Sequence, residues 1–213
     1  MSHRLFISLF APLLSALLSA CGSLTPADSS NRFHLISALT EQSLEQRDRI
    51  TIADHGPTIE IAPVTLPSYL NRPYIVTRRQ PGQIEISEWQ QWGGDLSENL
   101  SRVLEENLAL LLHTHRIVEP RQRTLLPADM RVTVQILHFE RSGDQTVQLI
   151  ARWRLSRRER SEPLMTRRSD IRVPTDATAS YDTIVAAMSQ AFADLSREIA
   201  VEVTRTAETL NPK

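Results

Sequence analysis

The chain has 213 residues, of which 24 are basic and 25 acidic, for a net charge of −1. That balance gives no global attraction for nucleic acid, and a single cysteine, Cys21, excludes an intramolecular disulfide. Every basic residue except Lys213 is arginine; arginine's planar fork suits carboxylate and phosphate, and a GC-rich genome produces the same bias.

In chain order the N-terminus comes first. Arg4, beside His3, precedes an apolar run from Leu5 to Leu18 that is broken only by Ser8, Pro12 and Ser15. Small residues Ser19 and Ala20 follow, which completes the three parts of a secretory signal. The run is too short, and its proline too central, for a transmembrane helix. Leu18-Ser19-Ala20-Cys21 resembles the bacterial lipobox, which implies cleavage before Cys21, a thioether-linked lipid on it and acylation of the new amine. Residues 1–20 are therefore expected to be a cleaved lipoprotein signal, and 21–31 a lipidated N-terminus with a short tether of Ser, Pro and Asp. Two acyl chains already hold a protein stably to a bilayer. Gly22, where Asp would signal retention, favours the outer membrane by resemblance to the sorting rule of enteric-type bacteria.

Residues 32–207 read as one domain, followed by a tail at 208–213. Arg32 to Ile36 is a first strand, and residues 37–56 are a loop or short helix. Thr58 to Val64 is a strand with Ile59 and Ile61 on one face. It runs into a proline-punctuated stretch that ends near Thr77, and Gln83 to Ser87 is another short strand. Asp95 is placed to cap a helix whose stripe is Leu96, Leu100, Val103, Leu104, Leu108, Leu111 and Leu112. Pro120 stops it, after a short run at Arg116 to Val118. Three strands follow: Arg131 to Ile136, then a turn at Ser142-Gly143-Asp144, then Val147 to Ser156, then Leu164 to Val173. Tyr181, Ile184, Val185, Met188, Phe192, Leu195, Ile199 and Val203 stripe a last helix. Alternating strands with two one-sided helices predict an α+β fold: a single domain, a mixed or antiparallel sheet, both main helices on one face.

Pro63-Val64-Thr65-Leu66-Pro67, Tyr69-Leu70-Asn71-Arg72-Pro73 and Ile75-Val76-Thr77-Arg78 together resemble the signature of the ABC-type transport auxiliary lipoproteins, the PqiC-like family. Asn71 stands where Asp is usual. Glu88-Trp89-Gln90-Gln91-Trp92-Gly93-Gly94-Asp95-Leu96 resembles the family's acidic-then-Trp approach to its first helix, with Gly93-Gly94 in place of small-acidic residues. The resemblance spans nearly the whole chain after Cys21. It implies a non-catalytic accessory of an MCE-type lipid transporter, Pqi- or Mla-like, that sits at the periplasmic face of the outer membrane. The implied partners are the transporter's MCE-domain protein and the membrane, through the acyl chains; a homo-oligomer stays open, and no cofactor, metal or nucleic acid is implied.

The residues themselves support docking. Pro63, Pro67 and Pro73 fix φ and remove donors, so the stretch reads as a stiff, extended loop at a sheet edge. Leu66, Pro67, Tyr69, Leu70, Arg72, Pro73, Tyr74 and Arg78 are the candidate contacts, since stiff segments lose little entropy on binding and Tyr and Arg recur at hot spots. The alternative is that these side chains cap the protein's own core, Leu66 and Leu70 above all. A second candidate is the basic hairpin of Arg152, Arg154, Arg157, Arg158, Arg167 and Arg168, which suits lipid phosphate or an acidic partner and equally guards a sheet edge against aggregation. His113 and His115 point about 200° apart on a helix and cannot share a metal. No nucleophile or zinc-protease motif is present. The competing readings are a lipoprotein that assists a β-barrel or secretin, and a periplasmic hydrolase. The anchor has a direct test: Cys21→Ser should abolish lipid labelling and leave the signal uncut by the lipoprotein route, as read by mass spectrometry of the membrane fraction.

Overall fold

Val132, Val134 and Ile136 alternate with Arg131, Thr133 and Gln135, and this alternation runs through the middle of the sheet. The computed structural model describes residues 30–44, 56–118, 128–157 and 163–210. The signal, Cys21, most of the tether, Pro120 and Arg158 lie outside them. Asn31–Lys213 forms one unit.

The described elements are β1 (Arg32–His34), a 3-10 turn at Glu41–Ser43, β2 (Ile59–Ile61), β3 (Tyr74–Gln80), β4 (Gln83–Trp92), α1 (Leu96–Leu111), β5 (Ile117–Val118), β6 (Met130–Arg141), β7 (Thr146–Arg157), β8 (Pro163–Pro174) and α2 (Tyr181–Leu210). They form one mixed sheet and two helices. β6, β7 and β8 are the expected antiparallel meander. The other edge of β6 is shared: β2 lies parallel to its first residues and carries β5 beyond it. At the far end Thr77 of β3 meets Arg141, β4 returns antiparallel to β3, and β1 closes that side parallel to β4.

Both helices cover the same face. α2 packs on β6, β7 and β8, α1 on β2 and β5, and the two helices on each other. Leu104, Leu108, Phe192 and Leu195 are fully buried there with Val132, Val134, Leu149 and Trp153 in one continuous core. Arg152 and Arg154 point away from it and are exposed. The helix starts as expected, with the Asp95 carboxylate accepting from the Glu98 N–H at 2.9 Å. It ends through His113, whose φ of 46° places it in the left-handed position that glycine usually fills after a helix.

Two buried asparagines one above the other on α1 hold the strand-free chain after β1. Asn99 accepts from the Ile36 N–H at 2.8 Å and donates to its carbonyl. Asn107 accepts from the Leu39 N–H at 2.7 Å and donates to Ser196 of α2. An irregular segment thus crosses the helices with its backbone satisfied.

The proline-punctuated stretch differs from its expected form. From Tyr74 it is a strand, and it lies between β4 and β6 rather than at an edge. Before that it continues β2 along β6: the Ala62 and Thr65 N–H groups donate to Val132 and Val134, and the Ile136 N–H donates to Thr65. The prolines fall where no ladder donor is needed, which is how an interior position tolerates them. The β6–β7 turn is fixed by contact as well as by sequence. A Cβ at Gly143 would stand 2.0 Å from the Arg79 carbonyl, so only glycine fits. Leu108→Ala or Phe192→Ala should each cost about 2–5 kcal/mol in a urea titration, since each empties a core position.

Candidate functional site

The signature segment is built onto the sheet from both ends. Val64 is tied to the first turns of α1: its N–H donates to the Ser101 hydroxyl at 2.9 Å, and its carbonyl accepts from Ser97. Pro67 then opens a turn, its carbonyl accepting from Leu70 and Asn71, and the Pro73 carbonyl accepts from the Trp92 N–H at 2.7 Å. Leu70 is buried in the core, and Leu66 packs against it half-buried, as Tyr69 also does.

The centre of the site is Glu140, which is 1% exposed. β6 carries an irregularity between Ile136 and His138, and beyond it Glu140 shares the helix-free face with Gln148. Arg78 donates to Oε1 from Nε and from its terminal nitrogen, each at 2.7 Å. Tyr69 donates to Oε2 at 2.9 Å, and the Phe139 N–H does so at 2.7 Å. The half-exposed His138 ring lies 3.4 Å from Oε1. Arg78 also sits 5.8 Å over the Tyr69 ring. Burial, then the Glu140 charge, push the Tyr69 phenol far above its usual range, so it remains a donor. Burial works against the Arg78 charge, but the Glu140 hydrogen bond and charge outweigh it and raise its pKa.

The eight candidate docking residues therefore divide. Leu66, Tyr69, Leu70 and Arg78 hold the segment to the fold. Pro67 is half-buried in its turn, while Pro73 and Tyr74 are exposed. Arg72 is half-buried; its backbone N–H donates to the Leu70 carbonyl at 2.9 Å, but its side chain makes no hydrogen bond or ion pair with any described residue and has a buried Nε without a partner. Glu140 itself was not among the sequence candidates. The only sequence signal for it is the loss of alternation at Leu137-His138-Phe139.

The basic hairpin also divides. Arg152 and Arg168 stand directly opposite each other on the helix-free face, with Arg154 in the next row facing Thr166. Arg167 is on the other side and pairs with Glu202 of α2 at 2.8 Å. Arg157 ends β7, half-buried, opposite Met130, and Arg158 lies outside the described residues. Between β8 and α2 is an open cleft of about 600 Å³. Its polar groups satisfy one another: Trp153 donates to Ser169 at 3.0 Å, and Ser169 to Glu198. Among the described residues no histidine lines it.

Arg78→Ala should lower stability by about 3 kcal/mol, because it leaves a buried carboxylate uncompensated. Adding Glu140→Gln to that variant should restore part of the loss in the same denaturation experiment. A wild-type melt for Arg78→Ala would show that Glu140 does not depend on it.

Among solved structures, an uncharacterised protein matches with a TM-score of 0.64 at 20% identity, over 82% of this chain and 99% of its own. A protein from Xanthomonas campestris matches with a TM-score of 0.63 at 14% identity, over 84% and 98%. At these identities the likeness is one of fold. No curated protein matches the sequence. The model of the ABC-type transport auxiliary lipoprotein component family matches residues 39–200, a span that holds the whole signature segment, Glu140 and both helices' core stripes up to Ala200. The chain belongs to the ABC-type transport auxiliary lipoprotein family.

Proposed function

We propose that this lipoprotein is anchored in the outer membrane through acyl chains on Cys21. There it serves as the accessory component of an MCE-type intermembrane lipid transporter, docking the MCE-domain protein through the outer part of the signature segment. The observation that carries the docking reading is the state of Arg72. Its guanidinium is half-buried, beside exposed Pro73 and Tyr74, and meets no acceptor on any described residue. Buried donors in native proteins are almost always paired, and an acceptor on a partner would pair this one. Membership of a transport-auxiliary family points to a transporter as that partner.

The segment is also suited mechanically. Glu140, Ser97 and Ser101 fix it from behind, so it meets a partner with little conformational entropy to lose. Truncating a Tyr or Arg hot spot costs about 2 kcal/mol or more, roughly thirtyfold in affinity. Arg72→Ala and Tyr74→Ala should therefore weaken co-purification with the MCE protein by about that factor and leave the thermal melt and lipid labelling unchanged. Variants that bind like wild type would move the contact away from this segment, with the Arg152 to Arg172 hairpin next in line.

A further inference from the structure

The helix-free face is apolar at one end. Phe33 of β1, Gln91 of β4 and Tyr74 of β3 are register partners, so they form one row on one side of the sheet. Past a register shift that follows Tyr74, Val76 faces Ile86, and Trp89 lies on β4 within that shift, two residues before Gln91. Leu35 continues from Phe33, its Cδ2 3.3 Å from where a Gly93 Cβ would be. Glycine at 93 thus gives Leu35 room to lie across β4. Phe33 is 65% exposed, Leu35 50%, Trp89 49%, Ile86 44% and Tyr74 36%. Among the described residues the other large exposed hydrophobics, Leu164 and Val201, lie on β8 and α2. Solvent-facing apolar side chains gathered into one patch mark a contact surface.

We infer that this patch rests on the bilayer in which Cys21 is anchored, with Trp89, Phe33 and Leu35 seated among the lipid headgroups. The inference rests on the Cys21 anchor of the proposed function. What selects the bilayer is where the chain arrives. Phe33 is twelve residues after Cys21, so even a fully extended tether spans roughly 40 Å. β1, which carries Phe33 and leads into Leu35, is the first described element after Cys21. A tether this short keeps the bilayer surface at high effective concentration beside the patch, so a weak affinity is enough to seat it. The composition fits as well: Trp, Tyr and Phe have apolar bodies, and Trp and Tyr carry the polar tips that favour the headgroup level. Tyr74 ends the row on its inner side and belongs to the docking segment, so an incoming transporter would meet that segment next to the membrane.

Tryptophan fluorescence tests this directly, because Trp92 and Trp153 are buried and Trp89 is exposed. The full mature protein, extracted from membranes, is reconstituted into vesicles of phosphatidylethanolamine and phosphatidylglycerol with plain or acyl-brominated chains. Intact mass first reports whether Cys21 is acylated. In the acylated protein the Trp89 emission should shift to shorter wavelength and be quenched by the brominated lipid. Trp89→Phe should remove the quenched component, and Phe33→Ser with Leu35→Ser should reduce it without altering the melt. An acylated protein whose Trp89 stays unquenched overturns the inference and leaves the anchor standing, whereas an unacylated one overturns both. Unquenched Trp89 in a protein that runs as a dimer, or that becomes shielded only when the MCE protein is added, assigns the patch to a second copy or to the transporter and overturns it equally.

Discussion

A carboxylate cannot be buried without partners, and the burial of Glu140 is the constraint that the helix-free side of this protein is built around. Satisfying its two oxygens takes a guanidinium from β3, a phenol from the proline-rich segment and the backbone N–H of its own neighbour. Tyr69 and Arg78 lie 71 and 62 residues before Glu140, so pairing Glu140 is also what positions them. The segment from Pro63 to Pro73 has little hydrogen bonding of its own, because three of its residues lack an N–H. It is held by what it is attached to: Thr65 on β6, two serines on α1, and Glu140 through Tyr69.

Much of the frame was legible in the sequence because its signals are local. The heptad-like stripe from Leu96 to Leu112 and the one from Tyr181 to Val203 needed only a helical period, and both helices lie where a one-sided stripe requires. Val132 to Ile136 and Val147 to Leu155 needed only alternation. What failed to show was non-local. Nothing in Arg32–His34 says that it will lie parallel to Gln90–Trp92, and nothing in Ile59–Ile61 says that it will share an edge of β6 with β3. Pro63, Pro67 and Pro73 argued for an edge, yet the segment beside β6 accepts Pro63 because its missing donor falls between those of Ala62 and Thr65, and Pro67 opens a turn past the last of them.

The candidate site shows the same division more sharply. Tyr69 and Arg78 look alike in sequence to Tyr74 and Arg72: aromatic and cationic residues in a stiff stretch. Only the third dimension separates them, because their acceptor is Glu140, beyond an irregularity in β6 that a run of alternating residues does not announce. Side-chain type told which residues carried interaction energy; it could not tell whether the partner lay inside or outside the chain.

The two faces of the sheet then do different work, and energetics explains why. The helix-covered face is closed: its core is continuous, and even the cleft beside β8 is internally paired. The helix-free face carries terms that do not favour the isolated chain. Arg152 and Arg168 are like charges directly opposite, an arrangement that costs stability. Phe33, Leu35 and Trp89 leave apolar area in water, and Arg72 leaves a donor unpaired. Exposed ion pairs such as Arg79–Glu85 contribute too little to offset them. A chain is stable with such a face only because the other one supplies the folding energy, and an anion, an apolar phase or an acceptor outside the chain would relieve the unfavourable terms on it. The separation of stability from contact across one sheet lets an accessory protein change its partner surface without risking its fold.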